Sequence, residues 1–144
     1  MTTPNSTSNS DTIDLAAFED TGEAVLSDDI TINLGLDDQF RWDLRGKLTF
    51  IENGYGDGNN ALILEGVDDE GPFQERLSTN LRANRLFTFE IGTVWIKNWS
   101  EHTGLADNLV ATGLFEKVQE SGPIAVDGST ATLLRVVALK DYGI

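Results

Sequence analysis

Short segments that alternate apolar and polar residues are the feature that most limits the fold of this chain. One of them spaces Ile30, Ile32, Leu34 and Leu36 with Thr, Asn and Gly, which is the period-2 pattern of a strand with one buried face. Similar or continuously apolar segments follow at 40–44, 47–52, 61–67, 73–77, 86–91, 94–99, 114–118 and 131–139. Most connections between them are too short for crossover helices, so neighbouring strands are expected to run antiparallel.

One helix is predicted after the strand that ends near Trp99. Leu105, Leu109 and Val110 form an apolar stripe of the kind that a helix buries against a core. Ser100 or Thr103 is expected to cap its start, and Gly113 is expected to end it in a left-handed conformation.

A second short helical turn is predicted around residues 13–18, with Asp11 or Thr12 as its cap. The predicted fold class is therefore α+β: a mostly antiparallel sheet of about seven or eight strands with one or two short helices.

The chain of 144 residues is long enough for one domain with a modest core. Residues 1–11 are polar and predict a disordered tail, and residues 12–144 are expected to form the single α+β domain. There is no cysteine, no apolar run near the ~20 residues that a membrane span needs, and no pattern typical of a signal peptide at the N-terminus. A soluble protein in the cytoplasm, without membrane contact, is expected.

Acidic residues greatly outnumber basic ones. There are 24 Asp and Glu against 10 Lys and Arg, for a net charge of −14, and residues 1–40 carry no base at all. This balance argues against direct binding to nucleic acid, which needs a basic surface. An acidic surface can instead attract a basic protein, although solubility or adaptation to a salt-rich host would produce the same excess.

The sequence contains no convincing catalytic, metal or cofactor site. His102 is the single histidine, and the G-x-S-x-G and P-loop patterns are missing. The Gly- and Asn-rich loop Asn53–Asn60 lacks the spacing of a calcium-binding EF-hand or of a dinucleotide site. We therefore assign no catalytic residue, no metal ligand and no cofactor.

Partner binding has two kinds of candidate. Val94 and Ile96 are the natural inward pair of their strand, which leaves Trp95 and Trp99 on the opposite face, either under the helix or exposed as anchors for a partner. The other candidates are carboxylates at predicted turns, where they stay solvated. The full set of candidates is Asp28, Asp29, Asp37, Asp38, Asp68, Asp69, Glu70, Trp95 and Trp99.

From Lys47 to Leu139 the chain resembles a family of small uncharacterised proteins carried by plasmids and phages. The most specific shared segment is Ile-Lys-Asn-Trp-Ser-Glu at 96–101, where the family has Asn or Asp and then an aromatic residue. The acidic turn at 68–71, the Ser-x-Asn-Leu element at 78–81 and the helix ending Ala-x-Gly-Leu at 111–114 are also shared. The resemblance implies an origin in a mobile element and carries over no catalytic residues.

This origin and the acidic charge together favour a non-enzymatic inhibitor. We expect it to occupy a basic nucleic-acid-binding surface on a host defence complex, in the manner of anti-CRISPR or anti-restriction proteins that imitate DNA. Two alternatives stay open at this point: an accessory protein that binds another partner through an aromatic surface, and a hydrolase that uses carboxylates.

Overall fold

The computed structural model describes residues 14–34, 42–56, 58–81, 86, 88, 91–97, 104–121 and 130–139. These residues form two α-helices, seven strands and one turn of 3-10 helix. The helices are α1 (Leu15–Thr21) and α2 (Leu105–Ala111), and the 3-10 turn is Val137–Leu139. The strands are β1 (Glu23–Leu34), β2 (Trp42–Ile51), β3 (Ala61–Asp68), β4 (Gly71–Arg76), β5 (Thr93–Lys97), β6 (Phe115–Glu120) and β7 (Ala131–Val136).

The predicted α+β class and the antiparallel pairing are confirmed, but the expectation of one sheet is wrong. The first sheet has the strand order β1-β2-β3-β4, and the second has the order β5-β7-β6. An isolated β-bridge joins Ser78, just after β4, to Ile96 in β5. Alternation within a segment indicates a strand but not its pairing partner, so the division into two sheets is not visible in the pattern.

Two predicted strands are joined in β2, and the described residues of one predicted strand lie outside any strand. The segments 40–44 and 47–52 belong to one long strand that passes through Gly46. A Cβ on Gly46 would overlap with the main-chain oxygen of Glu65, so glycine permits β2 and β3 to approach closely here. In the segment 86–91, the described residues Leu86, Thr88 and Ile91 lie outside any strand.

Strand β1 begins seven residues before the predicted alternation, and this changes the place of two candidate residues. Asp28 and Asp29 were expected at a turn, but they lie inside β1. The register with β2 shifts between Val25 and Ser27 and again between Ser27 and Ile30. Such bulges insert extra residues into one strand and interrupt its alternation, which is why this acidic stretch looked like a turn in the sequence.

One core lies between the two sheets and α2. Leu48 and Phe50 from β2, with Leu62 and Leu64 from β3, meet Val94, Ile96 and Leu134 of the second sheet. Helix α2 contributes Leu105 and Leu109 to the same cluster, as its apolar stripe predicted. Its Asn108 side chain also donates a 2.8 Å hydrogen bond to the main-chain oxygen of Asn33, so α2 is tied to the end of β1.

Both helices have different caps from those predicted at their N-termini. Asp14 caps α1 by accepting a 3.0 Å hydrogen bond from the Ala17 N–H, instead of Asp11 or Thr12. Gly104, with φ +84°, precedes α2 and offers no side-chain cap, while the predicted caps Ser100 and Thr103 lie outside the described residues. The predicted left-handed conformation of Gly113 is confirmed by its φ of +85°, two positions after the helix ends.

Helix α1 is short but anchored. The Phe18 side chain is buried, and its ring centroid lies 6.2 Å from that of Phe50. Neither of the described helices has the length and apolar character needed to cross a bilayer.

Candidate functional site

The turn between β3 and β4 carries three of the candidate carboxylates. It is an exposed hairpin turn as predicted, and Asp68 stabilises it by accepting a 2.9 Å hydrogen bond from the Glu70 N–H. Asp69 and Glu70 have no hydrogen bond or ion pair from their carboxylates within the described residues. The preceding Val67 is 75% exposed, so the turn presents two unpaired charges beside an apolar side chain.

Asp28 and Asp29 are neighbours in β1 but differ in their electrostatic state. Asp29 accepts hydrogen bonds of 2.7 and 2.6 Å from Nε and Nη2 of Arg45 in β2. These hydrogen bonds, with a further contribution from the positive charge of Arg45, hold the pKa of Asp29 below its usual value in spite of some desolvation. Asp28 is exposed and has no such partner in the described part of the chain.

The structure spreads these carboxylates over the first sheet. Because its strands alternate in direction, the β3–β4 turn and the ends of β1 and β2 at Leu34 and Trp42 lie at the same end. Asp28 lies about midway along β1, away from that end. Asp37 and Asp38, between β1 and β2, lie outside the described residues.

A cavity that the sequence did not suggest lies between α1 and β1. It has a volume of about 300 Å³ and is partly open to solvent. Ala17 lines it from α1, and Glu23, Val25, Ser27 and Asp28 line it from β1, together with the cap residue Asp14. The one available signal was the run of acidic residues without any base in the N-terminal part of the chain.

Trp95 is buried, so it does not offer its ring to a partner. Val94 and Ile96 face the main core as predicted. Trp95 lies on the opposite face, where it is 2% exposed and packs in a second cluster with Leu81, Ala131 and Leu133. Both faces of β5 are therefore covered, which the alternation alone did not indicate. Trp99 lies outside the described residues.

A buried polar network connects the Asn53–Asn60 loop to the segment after β4. The Asn59 side chain donates to Oδ1 of Asn80 at 2.9 Å, and its own Oδ1 accepts from the Thr88 N–H at 3.2 Å. Ser78 Oγ accepts a 2.9 Å hydrogen bond from the Leu62 N–H. Asn59 is 2% exposed and Ser78 is 5% exposed, so these polar groups hold the loop and the segment after β4 against β3 from inside.

This network gives the Ser-x-Asn-Leu element at 78–81 a structural role. Ser78 contacts β3, Asn80 holds Asn59, and Leu81 packs beside Trp95. The composition predicted a loop here but gave no indication that its last two residues are buried. The signal was available: two asparagines, Asn59 and Asn60, directly precede the apolar strand β3.

Metal-binding chemistry has no candidate in the described residues. No group of three or more His, Asp or Glu side chains comes close enough there to hold an ion. His102 lies outside the described residues.

Comparisons with protein-family models, with curated proteins and with solved structures found no match. The resemblance to plasmid- and phage-borne proteins therefore stays a prediction.

Proposed function

We propose that this protein is a non-enzymatic, acidic interaction protein that binds a basic nucleic-acid-binding surface on a host protein complex. The observation that carries the proposal is a set of exposed carboxylates without compensating cations. Asp28, Asp69 and Glu70 are exposed and form no ion pair among the described residues. Their charges remain available to a partner.

Other carboxylates are neutralised by a neighbouring cation of the same protein. Asp29 is paired with Arg45, Glu65 with Lys47 at 3.4 Å, and Glu116 with Arg135 at 3.1 Å. A paired carboxylate has little field beyond its cation, whereas an unpaired one attracts a basic surface over roughly one Debye length of ~8 Å at physiological ionic strength. This contrast distinguishes the carboxylates that can bind a partner from those that serve the fold.

Exposed carboxylates without a cation favour partners that normally bind nucleic acid, because such surfaces are built to hold phosphates. The proposed partner is a host defence complex of the CRISPR or restriction type in the host cytoplasm, and the resemblance to mobile-element proteins motivates this choice. The competing aromatic-surface hypothesis now depends on Trp99, since Trp95 is buried.

The test compares two triple variants that change the net charge equally. The first, Asp28→Asn with Asp69→Asn and Glu70→Gln, removes unpaired carboxylates. The second, Asp29→Asn with Glu65→Gln and Glu116→Gln, removes paired ones. The immobilised parent protein is used to capture complexes from the nucleic-acid-binding fraction of a host lysate, and the affinity of each variant for the captured complex is then measured at two salt concentrations.

If the proposal is correct, double-stranded DNA should displace the captured complex from the immobilised protein, and added salt should weaken the binding between them. The first variant should lose at least tenfold in affinity, about 1.4 kcal/mol, and more than the second variant, while its melting curve stays close to the parent's. Equal affinity of the first variant and the parent, with greater aggregation of the variant, would instead support solubility as the role of the charge.

A further inference from the structure

Strand β1, at one edge of the first sheet, is poorly suited to strand addition. Helix α1 lies beside the start of this strand, two register shifts distort it between Val25 and Ile30, and Asn108 of α2 occupies the main-chain oxygen of Asn33. Covering an edge and bulging it are both ways in which proteins prevent pairing with another strand. A partner that approaches this edge therefore finds no regular strand to extend, but it can enter the α1–β1 cavity.

The cavity is acidic at its rim. Glu23 and Asp28 line it, and neither has a hydrogen bond or ion pair from its carboxylate within the described residues. Asp14 also lines it, but its side chain is used as the cap of α1. No lysine or arginine occurs anywhere in residues 14–34, so nothing in these two elements compensates the charge.

Part of the cavity lining is apolar. Ala17 and Leu26 line it, and so does Val25, which is 42% exposed although it lies in a strand. Its volume of about 300 Å³ lies at the lower end of the ~300–1,000 Å³ typical of ligand pockets, which suits one long side chain. Lysine and arginine combine an apolar stem with a charged end, and this is the combination that a lining of apolar side chains and exposed carboxylates accommodates.

We infer that the α1–β1 cavity binds one lysine or arginine side chain of the basic partner. The stem packs on Ala17 and Val25, and the cationic group reaches Glu23 and Asp28 at the rim. This inference rests on the proposed function, since it names the chemistry that the acidic protein recognises. It adds a defined pocket to what would otherwise be attraction between two charged surfaces.

The experiment uses hexalysine and hexaarginine as probes, without any host complex, and follows the binding to the full-length protein by NMR. In the parent, the amide signals of Ala17, Val25 and Ser27 should shift with either peptide. Ala17→Leu fills the cavity without changing the charge, on an exposed helical position where leucine is favourable, and should weaken binding at least fivefold. Ala16→Leu, on the exposed neighbouring residue, is the matched control and should leave affinity unchanged.

A second pair of variants separates the cavity from general electrostatics. Glu23→Gln with Asp28→Asn should weaken binding about tenfold, since hydrogen bonds to charged groups are stronger than those between neutral groups. Asp69→Asn with Glu70→Gln changes the net charge equally at the β3–β4 turn and should weaken binding less than twofold. If Ala17→Leu is impaired in folding, the two charge variants alone test the cavity assignment, because the four carboxylates that they replace are exposed.

Equal losses in the two charge variants, or shifts that appear away from α1 and β1, would overturn the cavity assignment. A protein that captures a host complex in competition with DNA, but shows no shifts at Ala17 and Val25, would retain the proposed function and lose the pocket. Shifts at the cavity without capture of a nucleic-acid-binding complex would retain the pocket and contradict the proposed function. The two failures are therefore distinguishable.

Discussion

The Asn60 side-chain amide donates a 2.8 Å hydrogen bond to the main-chain oxygen of Thr93, 33 positions later in the sequence. Asn60 directly precedes β3 of the first sheet, and Thr93 is the first residue of β5 in the second sheet. This hydrogen bond therefore joins the two sheets where β3 and β5 begin. The Asn60 Oδ1 also accepts from the Asn53 N–H at 2.9 Å. This single side chain therefore fixes both the loop and the relative position of the sheets.

Replacing Asn60 with alanine should lower the free energy of unfolding by about 2–3 kcal/mol. The change leaves the buried Thr93 oxygen and the Asn53 N–H without these partners, and a buried unsatisfied polar group costs roughly 1–3 kcal/mol. Urea denaturation measures the loss. Gln74→Ala, on the exposed face of β4, is the control and should change stability by less than ~0.5 kcal/mol. Equal stabilities of the two variants would mean that the network contributes nothing.

Two glycines should respond very differently to alanine. Gly113 has a φ of +85° and open space where a Cβ would lie, so Gly113→Ala should cost on the order of 1 kcal/mol from backbone strain alone. At Gly46 the Cβ would overlap with the β3 main chain, which must move for alanine to fit. Gly46→Ala should therefore lower the melting temperature by clearly more than Gly113→Ala, and a smaller effect at Gly46 would show that the two strands separate readily.

Asp29 should stabilise the protein in a pH-dependent manner. Because Arg45 lowers the pKa of Asp29 in the folded state, its contribution is present above the unfolded-state pKa of ~3.9. That contribution is lost as the pH falls through the lower folded-state value.

The melting temperature of Asp29→Asn should therefore be lower than the parent's at neutral pH and should converge with it in strong acid. The Arg45 and Asp29 side chains are 72% and 57% exposed. The difference in melting temperature should therefore be small and should shrink with added salt. A constant difference at all pH values would show that Asp29 acts through something other than its charge.

Trp95→Ala should unfold or strongly destabilise the protein. Loss of a buried tryptophan from a packed cluster costs about 3–5 kcal/mol, whereas removing an exposed anchor would leave the melting temperature almost unchanged. Trp95→Phe retains most of the apolar contact and should cost less. A Trp95→Ala variant that melts like the parent would contradict the burial of this side chain between Leu81 and Leu133.

The β3–β4 hairpin was the most predictable part of the fold, and the reason is local. Ala61–Val67 is largely apolar, Asp68–Pro72 contains turn-forming residues, and Phe73–Leu77 is the return segment, so the three signals are adjacent in the sequence. The left-handed Gly113 was predictable on the same grounds, because a helix end and its glycine are neighbours. Both of these predictions needed only a few consecutive residues.

Predictions that depended on distant residues were less successful. Asp28 and Asp29 form a bulged part of β1 because Ser27 pairs with Leu48 and Ile30 pairs with Gly46, so two residues of β1 face one of β2. Nothing near the two aspartates in the sequence indicates this. The pairing of Asp29 and the freedom of Asp28 likewise depend on β2. Of the candidate site, the sequence placed Asp69 and Glu70 at an exposed turn but could not identify the cavity, which needs α1 folded beside the bulge.

By itself, the sequence determined the α+β class, the antiparallel connections, the β3–β4 turn and the excess of negative charge, because periodicity, turn chemistry and composition act within short stretches. The tertiary structure decided that the strands form two sheets, that Asn60 is buried between them, and that Trp95 is covered although Val94 and Ile96 already face the core. Each of these depends on contacts between segments tens of residues apart. The free energy of such contacts is set by what lies opposite a side chain after folding, and a local pattern carries no information about that.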